Sequence, residues 1–250
     1  MNYWLGKVAV VTGASEGIGL AISKELTSYG IKVIGLARRM DKLMEAVAII
    51  GEHKFFPIEC DITEEVQILR AFKWIHSLFK GFDILVNNAG LFSLSYVLES
   101  KTKEIRDVVN TNLIAPAIFA REAVKYMNKH NSRGHIINIC DIAGLYLEAM
   151  TMPMGMYGPS KYGLKALGIE LRHEVALAKL NIKITNISPG FVRTGMLKEL
   201  YEFMNFAPEV LLKDRDIAEI VIYVLGTPGS VEISEITVLP HGLGSNAVLL

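Results

Sequence analysis

The chain has 250 residues, 51% hydrophobic and 21% charged, which is ordinary globular usage and excludes disordered, collagen-like and low-complexity classes. Lys plus Arg number 26 and Asp plus Glu 26, so the formal charge is zero and neither nucleic acid nor an anionic membrane surface is indicated as the main partner. The length is that of about one large domain, so residues 1–250 are expected to form a single unit acting on a small molecule.

Seven short apolar runs, Val8–Thr12, Val33–Ala37, Phe55–Ile58, Ile84–Asn87, His135–Cys140, Lys183–Ile187 and Ile233–Leu239, alternate with longer helix-like segments at 17–29, 41–51, 63–80, 103–129, 157–180 and 214–226. Continuous apolar runs mark strands buried on both faces, as in a parallel sheet. The fold class predicted is α/β: a doubly wound, seven-stranded Rossmann sheet with helices on both faces. Leu164, Leu167, Leu171, Val175 and Ala178 recur every three or four residues, the stripe of a helix packed on that sheet.

Cys60 and Cys140 have no metal-ligand or redox spacing, and the six histidines are dispersed. No disulfide framework, metal site or Ser-His-acid constellation is therefore expected. The first residues lead straight into a strand without the pattern of a signal peptide, and no run of about 18 apolar residues occurs. The expectation is a reduced, cytoplasmic protein without a membrane span.

Thr12-Gly13-Ala14-Ser15-Glu16-Gly17-Ile18-Gly19 lies between the first strand and the first helix. Its glycines would let the backbone approach a pyrophosphate, and the helix N-terminus offers free N–H donors. A tight turn uses glycine for steric reasons as well. Gly13–Gly17 also matches the G-x-S-x-G elbow of α/β-hydrolases, but only eleven residues precede Thr12, too few for the earlier strand and loop that complete an oxyanion hole. About twenty residues beyond the turn, where an acid would hold the ribose of NAD, the chain has Arg38-Arg39. Two guanidinium groups suit a 2′-phosphate, so NADP is favoured over NAD. Tyr157 and Lys161 lie one turn apart on a predicted helix face, where an ammonium would stabilise a phenolate.

In order along the chain, Thr12–Gly19, Asn87-Asn88-Ala89-Gly90, Asn112, Tyr157-x-x-x-Lys161 and Ser188-Pro189-Gly190 with Thr194 make a set that resembles the short-chain dehydrogenase/reductase family, and its NADP-dependent branch in particular. The resemblance implies a cofactor site of Gly13, Ser15, Gly17, Ile18 and Gly19 for the pyrophosphate, Arg38 and Arg39 for the 2′-phosphate, and Asp61 and Ile62 for the adenine. It places Asn88, Ala89 and Gly90 at the floor, with Pro189, Gly190 and Thr194 at the carboxamide. It makes Tyr157 the proton donor or acceptor, Lys161 the holder of the nicotinamide ribose, and Asn112 the anchor of a water leading to that lysine. A homodimer or homotetramer packed through the long helices is also implied.

One position departs from that pattern. Asn138 and Ala143-Gly144 align with the family, which puts Asp141 where a substrate-orienting serine is expected, sixteen residues before Tyr157. An ionised Asp141 would repel a developing oxyanion. A protonated one would donate as the serine does. An ionised one could instead pair with a substrate cation or a protein base, leaving orientation to a donor such as Thr151. The expected function is an NADP-dependent oxidoreductase interconverting a hydrophobic alcohol and its ketone or aldehyde. The alternative is an NADP-binding pseudoenzyme with little or no turnover. Met150, Met152, Met154 and Met156, with Met196, Leu197, Leu200, Tyr201, Phe203, Met204 and Phe206, flank the reacting end and are expected to shape an apolar pocket for an isoprenoid- or steroid-like substrate, although the periodic members among them would equally fill core.

Overall fold

Strands rich in Val and Ile, apolar on both faces, are stable only between two helical layers, and the chain forms that arrangement. The structure is a computed structural model that describes residues 1–129, 133–150, 152–197 and 211–241. Its strands are β1 (Val8–Thr12), β2 (Lys32–Ala37), β3 (Phe55–Glu59), β4 (Ile84–Asn87), β5 (Gly134–Ile139), β6 (Ile182–Pro189) and β7 (Glu235–Val238), and its helices α1 (Gly17–Ser28), α2 (Met40–Ile50), α3 (Glu65–Phe79), α4 (Thr102–Val109), α5 (Ala115–Lys129), α6 (Tyr157–Leu177) and α7 (Asp214–Leu225). The strands pair in the order β3-β2-β1-β4-β5-β6-β7, all parallel. The order reverses between β1 and β4, so a crevice opens beyond their C-terminal ends.

Alternate side chains of the strands build two cores. Val11, Val33, Val86 and Ile137 pack with Ile22 and Leu26 of α1, Leu43 of α2 and Val221 of α7. On the other face Val10, Ile34, Leu85 and Ile136 pack with Phe72 of α3, Phe119 of α5 and Leu171 and Val175 of α6. Of the stripe expected on α6, Leu164, Leu171 and Val175 are buried and Leu167 partly so, but Ala178 falls one residue past the helix and is exposed.

The segment 103–129, expected as one helix, is two helices joined by a π-helical turn, Asn110–Ile114. Pro116 has no N–H to donate to the carbonyl four residues back, and Ala115 instead donates to Asn110, five back. The bulge carries Asn112 to the interior. The helix expected from 63 starts at Glu65 because the Thr63 N–H and hydroxyl both bond to Asp61 Oδ1, at 2.9 and 2.7 Å, forming a turn ahead of it.

At the opposite end of the sheet from the crevice, His135 is buried with its Nε2 2.8 Å from the Thr185 hydroxyl. That hydroxyl gives its own proton to the Ile233 carbonyl at 2.7 Å, so Nε2 donates to it, and Nδ1 has no partner among the described residues. Burial, with Lys183 and Arg133 nearby, pushes the His135 pKa down to about 3. Between about pH 6.5 and 3 the unfolded chain therefore binds a proton that the folded chain refuses, and stability present above that window is lost as the pH falls through it. His135→Gln keeps a donor for Thr185 and removes the titration. Denaturation from pH 7 to 4 should show a shallower loss of stability in the variant, by about one proton of linkage; equal slopes would contradict the assignment.

Candidate active site

Every strand that borders the crevice ends in a short polar or glycine-rich segment, and these segments meet there. After β1, the turn 13–16 runs into α1, whose N-terminus has no side-chain cap. A Cβ at Gly19 would collide with the Gly13 carbonyl and the Asn88 amide, so only glycine lets the first turn of α1 approach this closely. Thr12 at the end of β1 locks the neighbouring segment. Its hydroxyl accepts from the Asn88 and Ala89 N–H groups, both at 3.0 Å, while Asn88 Nδ2 donates back to the Thr12 carbonyl at 2.9 Å.

The resulting cleft, about 240 Å³, is lined by Gly13, Ser15, Gly17, Ile18, Arg38, Arg39, Asp61, Ile62, Asn88, Ala89, Gly90, Asp141, Tyr157, Lys161, Pro189, Gly190 and Thr194. Thus all but two of the cofactor-binding and catalytic residues expected from the sequence line one cavity. Gly19 and Asn112 are the two that do not, and both act through neighbours.

Asn112 is fully buried on the π turn and clasps Leu91, accepting from its N–H at 2.7 Å and donating to its carbonyl at 3.0 Å. It also donates to the Ser160 hydroxyl at 3.0 Å, which in turn donates to the Tyr157 carbonyl at 2.6 Å. One amide thereby ties the floor of the cleft to the start of α6. Ser160 did not stand out in the sequence, because a lone hydroxyl residue carries no spacing signal; Thr12 did, as the first residue of the glycine-rich motif, but its bonds to Asn88 and Ala89 did not.

Tyr157 and Lys161 occupy the first turns of α6, both buried, with Lys161 Nζ 5.7 Å from the Tyr157 ring centre. Lys161 donates to the Ile139 carbonyl at 3.1 Å. Burial holds its pKa below the ordinary lysine value, against the opposing pull of Asp141 and Cys140. Gly144 lets the turn after β5 pack against α6 at this point, since a Cβ there would lie 2.8 Å from the Lys161 backbone.

Asp141 sits directly at this pair. Its Oδ1 accepts from the Ala143 N–H at 2.8 Å, capping the 3-10 turn Ile142–Gly144, and its Oδ2 accepts from the Tyr157 hydroxyl at 2.8 Å. The residue as a whole keeps some surface on the cleft, but its carboxyl lies deep among packed atoms. That depth raises the carboxyl above the usual aspartate range, and the Ala143 N–H, the Lys161 charge and the Tyr157 hydroxyl offset only part of the rise. No cation among the described residues forms an ion pair with it. The adjoining Cys140 thiol is pushed up to about 12 by burial, as is Cys60, so both are neutral.

A second, smaller cavity meets the cleft at Asp141, Tyr157 and Gly190. Phe92, Ile142, Met150, Met152, Met154 and Phe191 complete it. The Phe92 ring stands edge-on to Tyr157 at 4.9 Å. Met156 does not line this cavity, and Met196 lines the cleft. Thr151, Leu200, Tyr201, Phe203, Met204 and Phe206, together with the Leu197 side chain, lie outside the described residues.

At the far end, Arg39 pairs with Glu16 at 2.6 Å across the mouth of the cleft, and both are well exposed. Arg38 is exposed and makes no ion pair among the described residues.

The architecture and the cleft define a doubly wound α/β protein with its site at the topological switch point, where such folds take nucleotides. Residues 7–205 match the family model described as short chain dehydrogenase, and the chain belongs to the short-chain dehydrogenase/reductase family of oxidoreductases, which use nicotinamide cofactors. It is 38% identical over 247 residues to the farnesol dehydrogenase of Aedes aegypti, covering 97% of this chain and 99% of that protein. It is 36% identical over 251 residues to the human dehydrogenase/reductase SDR family member 11, covering 96% of each. Among solved structures, a short-chain type dehydrogenase/reductase from Mycobacterium marinum superposes with a TM-score of 0.85 at 25% identity, covering 95% of both chains. No helix among the described residues is long and apolar enough to cross a membrane.

Because Asn112 is the one partner of both backbone groups of Leu91 among the described residues, Asn112→Leu should destabilise the fold by roughly 1–3 kcal/mol for each group left unpaired. Chemical denaturation measures this. A loss under about 0.5 kcal/mol, the range of an ordinary surface change, would show that the clasp contributes little.

Proposed function

We propose that this chain is an NADP-dependent oxidoreductase that interconverts a hydrophobic alcohol and its ketone or aldehyde. The observation that carries the reading is the position of the Tyr157 hydroxyl. It lies where the cleft at the switch point meets the methionine-lined cavity, with Lys161 and Asp141 beside it.

The residues of the cleft fit a dinucleotide. Gly13 lets the turn lie against Asn88 and Ala89, since a Cβ there would be 2.9 Å from Ala89 Cα, and the residues of the uncapped N-terminus of α1, Gly17 and Ile18, line the cleft. The turn 13–19 would hold the pyrophosphate, Asp61 and Ile62 the adenine, and Pro189, Gly190 and Thr194 the carboxamide. Arg38 carries the preference for a 2′-phosphate. Arg39 contributes less, because its charge is already met by Glu16. When bound, the nicotinamide supplies or takes up the hydride.

Tyr157 moves the proton. In reduction it passes its hydroxyl proton to the substrate oxygen, and the nearby Lys161 ammonium stabilises the phenolate left behind. Asn112 keeps α6 in place through Ser160. Asp141, whose enclosed position raises its carboxyl above the usual aspartate range, takes the place of an orienting serine; in its protonated form it donates to the substrate oxygen and places no negative charge beside a developing oxyanion. Methionines 150, 152 and 154 with Phe92 and Phe191 exclude water and accept an apolar chain or ring. A farnesol dehydrogenase among the relatives agrees with such a substrate.

A second reading, cofactor binding without turnover, has one observation in its favour. The Tyr157 proton points at Asp141 and not into the cavity. Tyr157→Phe separates the two. On a panel of isoprenoid and steroid alcohols and ketones followed by nicotinamide absorbance, wild type should turn over, and the variant should lose about 10²-fold or more in kcat while binding NADPH as before. A wild type that binds NADPH and is inert on the whole panel would establish the second reading.

The charge at the mouth gives an independent check. Glu16→Gln frees Arg39 and should tighten NADPH, while leaving NADH little changed; Arg38→Ala should weaken NADPH selectively. Titration of both cofactors against each variant measures this, and a wild-type preference for NADH would refute the assignment.

A further inference from the structure

A carboxylic acid differs from an alcohol in one chemical respect that matters at this position: it can transfer its proton outright to a basic atom, whereas a serine can only share one. Among the described residues, Asp141 is the sole ionisable side chain besides Tyr157 lining the methionine-walled cavity, whose other members are apolar. Its two oxygens are occupied on one side each, Oδ1 by the Ala143 N–H and Oδ2 by the Tyr157 hydroxyl, so each retains a lone-pair position. No arginine, lysine or histidine among the described residues pairs with it. Lys161, the nearest ammonium in the site, is directed to the Ile139 carbonyl. An apolar enclosure with one unpaired acid at its reacting end is complementary to an apolar molecule that carries one basic nitrogen.

We propose that this site also acts on carbon–nitrogen double bonds, reducing an apolar imine to its amine, with Asp141 as the group that protonates and then pairs with the nitrogen. The proposal goes beyond carbonyl reduction but rests on the same dinucleotide site. In the forward direction the O–H bond of Asp141 breaks and an N–H bond forms, which leaves an iminium–carboxylate pair. A hydride from a reduced nicotinamide dinucleotide then adds to the iminium carbon, and the C=N π pair becomes the nitrogen lone pair. The substrate gains two hydrogens, the dinucleotide is oxidised, and Asp141 recovers its proton from water. The charge argument favours this substrate. Hydride addition to a carbonyl creates negative charge beside an acid that has to stay neutral, whereas addition to an iminium removes positive charge that the carboxylate has already attracted into the apolar cavity. A ketone oxygen is too weakly basic to take the proton, so it gains from Asp141 no more than it would from a serine.

The test compares dihydroisoquinoline with β-tetralone, an imine and a ketone of similar ring size, in NADPH oxidation by the full chain, and measures binding of tetrahydroisoquinoline to the NADP-loaded protein. Wild type should favour the imine by at least tenfold in kcat/KM, and Asp141→Ser should move the ratio toward the ketone by at least tenfold. Asp141→Asn, which keeps the shape of the carboxyl, should weaken the amine at least tenfold, with retained NADPH binding showing that the variant is folded. Ketone reduction without imine reduction overturns this proposal and leaves the carbonyl reading intact. NADPH binding with equal amine affinity in wild type and Asp141→Asn overturns it as well, whatever the turnover. Failure of wild type to bind NADPH overturns both readings.

Discussion

The hydrogen bond from the Tyr157 hydroxyl to Asp141 Oδ2, 2.8 Å long and enclosed by packed side chains, is the constraint around which the rest of the site is arranged. It joins two acids of very different strength in a place where an unpaired negative charge is costly. The carboxyl therefore holds its proton more firmly than an exposed aspartate does, and Lys161 is held below its own ordinary value for the same reason. Burial sets both directions. What the pair can do follows from it: among the described residues, the carboxyl and the phenol are the two ionisable groups where the cleft and the apolar cavity join.

That arrangement depends on backbone supports remote from the chemistry. Gly144 lets the turn after β5 lie against α6, so that a residue capping the turn meets a residue opening the helix. The π turn brings Asn112 inward, and Asn112 fixes α6 through Ser160 and the cleft floor through Leu91. Thr12 does the same for the segment after β4. Across β4, β5 and β6, the amide of Asn87 donates to Asn138 and that of Asn138 to Asn186, both at 3.0 Å, and Asn186 donates to the Lys165 carbonyl of α6 at 3.1 Å. This buried chain of amides ties the helix that carries Tyr157 to three strands of the sheet.

The fold was legible because its signals are repeated. Seven apolar runs of the length of strands, separated by helical lengths, leave few architectures open, and each run became a strand within a few residues. Cleft residues were legible where a motif encodes geometry, as in the glycines of 13–19 or Tyr157 and Lys161 one helical turn apart. Contacts between distant segments were not. Nothing in the spacing tells that Glu16 neutralises Arg39, that Ser160 relays Asn112 to Tyr157, or that α4 and α5 are divided by a π turn; these depend on where separate elements come to rest. Asp141 was visible as a departure from the family pattern, but its bond to Tyr157 required the path of the turn between them.

The central claim is that Asp141 keeps its proton under conditions in which an exposed aspartate has lost it. Infrared difference spectra of wild type against Asp141→Asn, recorded from acid to neutral pH, follow the carboxyl C=O stretch of this one group. The band of a protonated acid should persist well above the ordinary aspartate value and be missing from the variant. Its disappearance at or below that value would contradict the account.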